Sequence, residues 1–201
     1  LIKKHTYKIF ADTSEAEQWA LDNYGDWLSE IQKEYPPQTG IAYLLFAYSG
    51  AMNIIYNKFL HGVDHFDEEE IEKYSGEITI IDNELRKFEL PENILVYRYT
   101  NKKWFRWLFK DSKPKVGNCF TDKGFMSTTL VEALLKSFAK KYEYNCILEL
   151  YLPKGTKGVY IRFNDCLNEQ EFLLPPNSTF RLIKKRYKGF TPVYECVLES
   201  Q

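Results

Sequence analysis

Nowhere in the 201 residues do two cysteines stand in a CxxC pair, and the four present, Cys119, Cys146, Cys166 and Cys196, are far apart and away from any histidine cluster. That spacing gives a metal centre no support and favours buried thiols over disulfides. An excess of either charge is also missing. Lys plus Arg number 27 against 28 for Asp plus Glu, a net charge of -1, so nothing global draws the chain to nucleic acid or to anionic lipid. Any nucleotide must be bound locally. No apolar run reaches the length of a membrane span, and there is no internal repeat, low-complexity tract or long Gly/Ser linker. The start at Leu1 carries neither methionine nor a signal-peptide pattern, as expected of a mature or excised domain.

What is abundant is apolar and aromatic matter. Hydrophobic residues make up 44% and aromatics 16%, enough for one substantial core. Residues 1–90 read as helical. Asp12-Thr13-Ser14-Glu15 offers an N-cap, after which Ala16, Trp19, Ala20, Tyr24, Trp27 and Leu28 recur at helical spacing, with an interruption expected at Gly25. Pro36-Pro37 breaks the chain, a second apolar stretch runs from Ile41 to Leu60 and stops near Gly62, and the acids Asp67 to Glu70 open a further helix.

From Leu90 the pattern changes to short strands: Ile94 to Tyr99, Gly124 to Thr129, Cys146 to Leu152, Gly158 to Ile161, Glu171 to Leu174, Phe180 to Arg186 and Val193 to Leu198. A helix is expected over Val131 to Lys141. The fold class is therefore α+β, one domain of two lobes, helical over 1–90 and β-rich over 91–201.

Three local features bear chemistry. Arg98, inside the apolar strand Val96-Tyr97-Arg98-Tyr99, is either a strand-edge residue facing solvent or a phosphate clamp, since its planar fork matches phosphate oxygens. In Met126-Ser127-Thr128-Thr129, alternation sends Ser127 and Thr129 to one face, where hydroxyls can orient a carboxylate or a ribose; threonine is also simply a good strand former. Glu169 and Glu171 stand two apart before Phe172-Leu173-Leu174, and in extended geometry they share a face. That pair is either an exposed acidic loop or a repelling couple with a raised pKa, suited to cleavage at an anomeric carbon through an oxocarbenium-like transition state.

In this order and spacing, Arg98, then Ser127-Thr128-Thr129, then Glu169-x-Glu171 resembles the arginine, serine-threonine-serine, glutamate-x-glutamate signature of bacterial toxin mono-ADP-ribosyltransferases. Phe120 to Phe125, Leu152 to Ile161, Ser178-Thr179-Phe180, Trp19 to Trp27, and Tyr48-Ser49-Gly50 with Tyr56-Asn57 look like the same family, nearest to binary-toxin and Rho-modifying catalytic lobes. The resemblance implies a helical lobe packed on a two-sheet β-sandwich with a cleft for NAD as co-substrate and no metal. It implies that Glu171 holds the nicotinamide ribose and stabilises its positive charge, that Ser127 orients Glu171, and that Arg98 binds the diphosphate. Thr129, Tyr48, Asn57 and Phe138 would line the cofactor cleft. Glu169 would select an arginine acceptor, and Phe163, the one aromatic of the turn 162–168, would touch the target. The acceptor would be a host protein, actin or a small GTPase, reached by a secreted enzyme acting in the host cytosol with the help of a translocation partner or parent toxin chain.

The chain departs from the family pattern at Tyr99, where actin-modifying relatives have a second arginine, at Thr129 in place of serine, at Lys141 in place of a phosphate-contacting arginine, and in a turn before Glu169 that is shorter and lacks its glycine. Those departures leave the target unassigned. Three other readings compete: an NAD glycohydrolase with water as acceptor, a non-catalytic adaptor lobe, and a β-sandwich carbohydrate binder. The last leaves the helical front half without a purpose.

Overall fold

The computed structural model describes residues 6–110, 112–136, 144–163 and 168–201. Four helices come first, α1 (Thr13–Ile31), α2 (Gly40–Ala47), α3 (Asn53–His61) and α4 (Glu68–Leu85), with a π-helical segment, Tyr48–Met52, joining α2 to α3. The β half follows as β1 (Ile94–Thr100), α5 (Lys102–Leu108), β2 (Cys119–Asp122), β3 (Met126–Thr129), β4 (Cys146–Leu152), β5 (Val159–Ile161), β6 (Glu171–Leu174), β7 (Ser178–Lys188) and β8 (Thr191–Ser200).

Local chemistry sets the helix starts. Asp12 accepts a hydrogen bond from the Glu15 amide at 2.9 Å, and Asp67 with Glu70 forms a reciprocal capping box at the head of α4. The interruption expected at Gly25 does not occur. α1 continues through it because Trp19, Tyr24, Leu28 and Ile31 are all buried on one face, and burial on that scale outweighs the roughly 1 kcal/mol that glycine costs a helix. α3 ends where Gly62 adopts φ 65°, the left-handed cap that glycine accepts without strain.

The α+β expectation holds. The β half, expected as two sheets, is hydrogen-bonded as one, in the order β2-β7-β8-β4-β1-β3-β6-β5. Its seam is thin. β1 meets β3 at the single position Tyr97↔Thr129, whereas β1 and β4 pair along seven positions from Ile94↔Leu152 to Thr100↔Cys146. Five strands therefore lie on one side of the seam and three on the other, with β1 at the join. Ile94 and Val96 point into the large core shared with the helices, while Leu95 and Tyr97 join a smaller cluster on the opposite side. Arg98 continues the Ile94 and Val96 side.

Two elements escaped the sequence reading. α5 is short, with Asn101 capping the Lys103 amide at 2.7 Å and Phe105 fully buried against Phe120 and Tyr194. β2 alternates in burial, but it has four residues and one of the two it buries is the polar Asp122, so no apolar alternation marks it in the sequence. The helix expected over Val131 to Lys141 begins as a 3₁₀ turn at Glu132–Leu134, and residues 137–143, including Phe138 and Lys141, lie outside the described residues. Cys146 and Cys196 are buried free thiols and Cys119 is an exposed one, while Cys166 also lies outside the described residues.

Helix α3 packs so closely on the turn before β3 that position 124 has no room for a side chain. A Cβ on Gly124 would sit 2.6 Å from Asn57 Oδ1 and 2.8 Å from His61 Cε1. Asn57 cannot yield cheaply because its Oδ1 accepts the Phe125 amide at 2.8 Å. Gly124→Ala should therefore destabilise the protein by about 1–3 kcal/mol. A denaturant midpoint equal to that of the parent would contradict this packing.

Candidate active site

β1 delivers Arg98 to the edge of a cleft. Its Nη1 donates to the Ser127 carbonyl at 2.8 Å, and its Cζ lies 5.0 Å from the Trp104 ring centroid. The Nε is buried and meets no acceptor among the described residues. A buried donor left in that state is costly, and a charged fork held on two sides with one donor unsatisfied is ready for an anionic oxygen.

β3 and β6 run antiparallel with Ser127↔Leu173 and Thr129↔Glu171 as partners, which puts Ser127 diagonally across from Glu171 on the same face. Ser127 hydrogen-bonds to the carboxylate of Glu171, a residue only 9% exposed. Burial above all, and then the charge of Glu169, push its pKa up to about 7, against the Ser127 hydrogen bond and the Arg98 charge, which lower it. Near neutrality Glu171 thus exchanges between acid and carboxylate. Thr128 faces the other way and donates to the Phe172 carbonyl at 2.6 Å.

The expected sharing of a face by Glu169 and Glu171 fails as extended geometry. Gln170 between them has φ 47°, a left-handed conformation, and β6 starts only at Glu171. Tertiary bonds hold this strained residue. Its buried side chain accepts from Tyr160 Oη at 3.0 Å and donates to Asn168, its carbonyl accepts the Leu130 amide at 3.0 Å, and Thr129 Oγ1 donates to the Glu169 carbonyl at 2.7 Å. Thr129 thus anchors the turn that presents Glu169. The two glutamates still act on each other electrostatically, because the charge of Glu169 contributes to the raised pKa of Glu171.

Tyr48 and Asn57 arrive from the helical lobe. Tyr48 is buried in the π segment, Asn57 hydrogen-bonds to its hydroxyl, and burial together with the Glu171 charge raises the phenol's pKa. A cleft of about 300 Å³ is lined by Tyr48, Asn57, Arg98, Ser127, Thr129 and Glu169 among others. Six of the expected site residues therefore converge there, with Glu171 hydrogen-bonded to one of them. Phe163, expected to touch the target, is buried rather than free on the surface. It is 8% exposed, its ring 6.1 Å from Phe46, because an aromatic at this turn gains more from packing on α2 than from water. The sequence reading also missed Gln170, Tyr160 and Trp104. Only Trp104, an aromatic six residues after a suspect arginine, left a readable signal.

The sequence pattern of the ADP-ribosyltransferase exoenzyme family matches residues 16–191. No curated protein sequence is significantly similar. Among solved structures, the ADP-ribosylating toxin BECa of a binary enterotoxin of C. perfringens, determined with NADH, superposes with a TM-score of 0.77 at 24% identity. That alignment covers 96% of this chain and 50% of BECa, so the chain spans half the length of that relative. C3stau2 from S. aureus, determined with NAD, gives 0.73 at 18% identity over 97% of this chain and 99% of its own. The ADP-ribosyltransferase toxin Plx2a from Paenibacillus larvae gives 0.68 at 21% identity, over 96% of this chain and 100% of its own.

Proposed function

Since the chain belongs to the ADP-ribosyltransferase exoenzyme family, we propose that it is a toxin-type catalytic domain, residues 1–201, that cleaves NAD at the nicotinamide-ribose bond and transfers ADP-ribose to an arginine of a host protein. The observation that carries this reading is the buried Glu171 carboxylate, hydrogen-bonded by Ser127 and under the influence of the charges of Glu169 and Arg98. NAD as co-substrate is supported by the nucleotides in BECa and C3stau2 and by the buried Nε of Arg98, which suits a diphosphate oxygen.

In this scheme Arg98 clamps the diphosphate and Tyr48 and Asn57 wall the cleft. Ionised Glu171 accepts from the ribose hydroxyl and stabilises the positive charge that grows on the sugar as nicotinamide leaves, with Ser127 holding the carboxylate in place. Glu169, on the turn anchored by Thr129, grips the incoming guanidinium and takes its proton. Membership of the exoenzyme family supports action on a host protein in the host cytosol, and the half-length match to a binary-toxin component supports delivery as part of a larger chain or with a partner.

The deciding experiment incubates the protein with labelled NAD and a host-cell lysate, and locates any adduct by mass spectrometry. Labelled protein bearing ADP-ribose on arginine is the expected result. Free ADP-ribose with no labelled protein would mean a glycohydrolase, and intact NAD would remove the enzymatic reading altogether.

A further inference from the structure

Arg98 borders two cavities. One is the cleft already described, and the other, of about 390 Å³, is walled by Trp104 and Trp107 of α5 and by Asn57 and His61 of α3, among others. Trp104 lines only the second. The guanidinium thus stands between the cleft and the indole, with Cζ 5.0 Å from the ring centroid. α5 fixes that indole through the backbone. The Lys103 amide donates to Asn101 Oδ1 at 2.7 Å and the Lys102 amide to Asn145 Oδ1 at 2.8 Å. The next residue, Phe105, is fully buried, its ring 5.3 Å from Phe120 and 4.5 Å from Tyr194. Trp104 itself is only half-buried, so the helix is anchored by its neighbour and not by the indole.

The partners that hold Arg98 are a neutral carbonyl, that of Ser127 at 2.8 Å, and a neutral ring. Neither cancels its charge. An aromatic face attracts a guanidinium through its quadrupole, and an arginine remains protonated throughout. The two contacts also do different things. A hydrogen bond at the carbonyl alone leaves the fork free to turn about that bond, and the ring face removes that freedom. Resting on the transferase reading above, we infer that Trp104 is a positioning residue for NAD, its ring fixing the orientation of the Arg98 fork so that an undiminished charge and the buried Nε meet the diphosphate. A fork already ordered in the free enzyme loses less freedom when the diphosphate arrives. Ser127 ties this clamp to the reacting end of the site, since its carbonyl holds Arg98 while its side chain holds Glu171.

The test follows release of labelled nicotinamide from NAD in the parent and in Trp104→Leu, which keeps apolar bulk and removes the ring face. The diphosphate is gripped alike before and during bond cleavage, so the loss should fall on KM, which rises roughly five- to thirtyfold while kcat stays within about twofold. Trp104→Phe restores a ring face and should recover most of that loss. A role in packing alone would be served by leucine about as well as by phenylalanine. The second arm repeats Trp104→Leu in an Arg98→Met background and compares kcat/KM at low NAD. There it should cost less than about twofold, because the group through which the indole acts is gone. Equal kinetics for the leucine and phenylalanine variants, or a fall in kcat at unchanged KM, overturns the clamp. So does a loss as large without Arg98 as with it, which would mean that the indole meets the nucleotide itself or that the fold has suffered. A parent that releases no nicotinamide brings down the functional reading beneath it instead.

Discussion

Glu171→Gln should lower NAD cleavage by roughly 10²–10³-fold or more, the loss typical of removing a preorganised charge aimed at the transition state. Hydrolysis and transfer should fall together, because both pass through the same departure of nicotinamide. The parent should show the matching pH dependence. With the Glu171 pKa raised to about 7, kcat/KM for NAD should climb with pH below that value and level off above it, as the ionised form accumulates. The sign for stability is opposite. A carboxyl whose folded pKa lies above its unfolded value of 4.5 holds its proton more tightly when folded, so its stabilising contribution is complete below 4.5 and is lost as pH rises toward about 7. Glu171→Gln carries no charge to bury. It should be about as stable as the parent at pH 4 and more stable above pH 7, by up to about 3 kcal/mol. Thermal melts across that range check the second claim, and a profile of kcat/KM that is flat from pH 5 to 8 would defeat the first.

Glu169→Gln should separate the two activities. Transfer to agmatine or to an arginine of the target should drop by roughly 10²-fold or more, the usual contribution of a positioned base, while NAD hydrolysis persists within a few-fold. A second effect follows from electrostatics alone. Since the Glu169 charge raises the pKa of Glu171, its removal should move the pH profile of hydrolysis toward acid. A merely structural role for Glu169 would move neither the ratio of transfer to hydrolysis nor that profile. Equal loss of both activities would assign Glu169 to the NAD step.

The structure bears on the sequence reading residue by residue. Arg98, Ser127 and Thr129 were legible as polar residues in strands whose period could be read, Tyr48 and Asn57 only through the family resemblance, and all five line one cleft. The pairing of Glu169 with Glu171 was legible as proximity but wrong as geometry. The pattern implies extended backbone, whereas bonds from Gln170 to Tyr160, Asn168 and Leu130, with Thr129 holding the neighbouring Glu169 carbonyl, make a left-handed Gln170 tolerable. The burial of Phe163 was not legible for a similar reason, since the sequence of its turn says nothing about the Phe46 ring that it packs against. Gly25 carried a local cost that the buried face of α1 outweighs.

Some things, then, were decided along the chain. The helical and β halves follow from periodicity, the caps at Asp12 and Asp67 from short-range hydrogen bonds, and the order of arginine, hydroxyl strand and glutamates from covalent sequence. These depend on neighbours within a few residues, and a sequence displays such neighbours directly. The tertiary structure alone decided the rest. It brought β1 against β3 at one position, lowered Tyr48 and Asn57 onto the cleft, buried Glu171 enough to bring its pKa to about 7, and opened a second cavity beside Arg98. Desolvation and cavity shape are properties of atoms that meet from distant parts of the chain, and no local pattern encodes them.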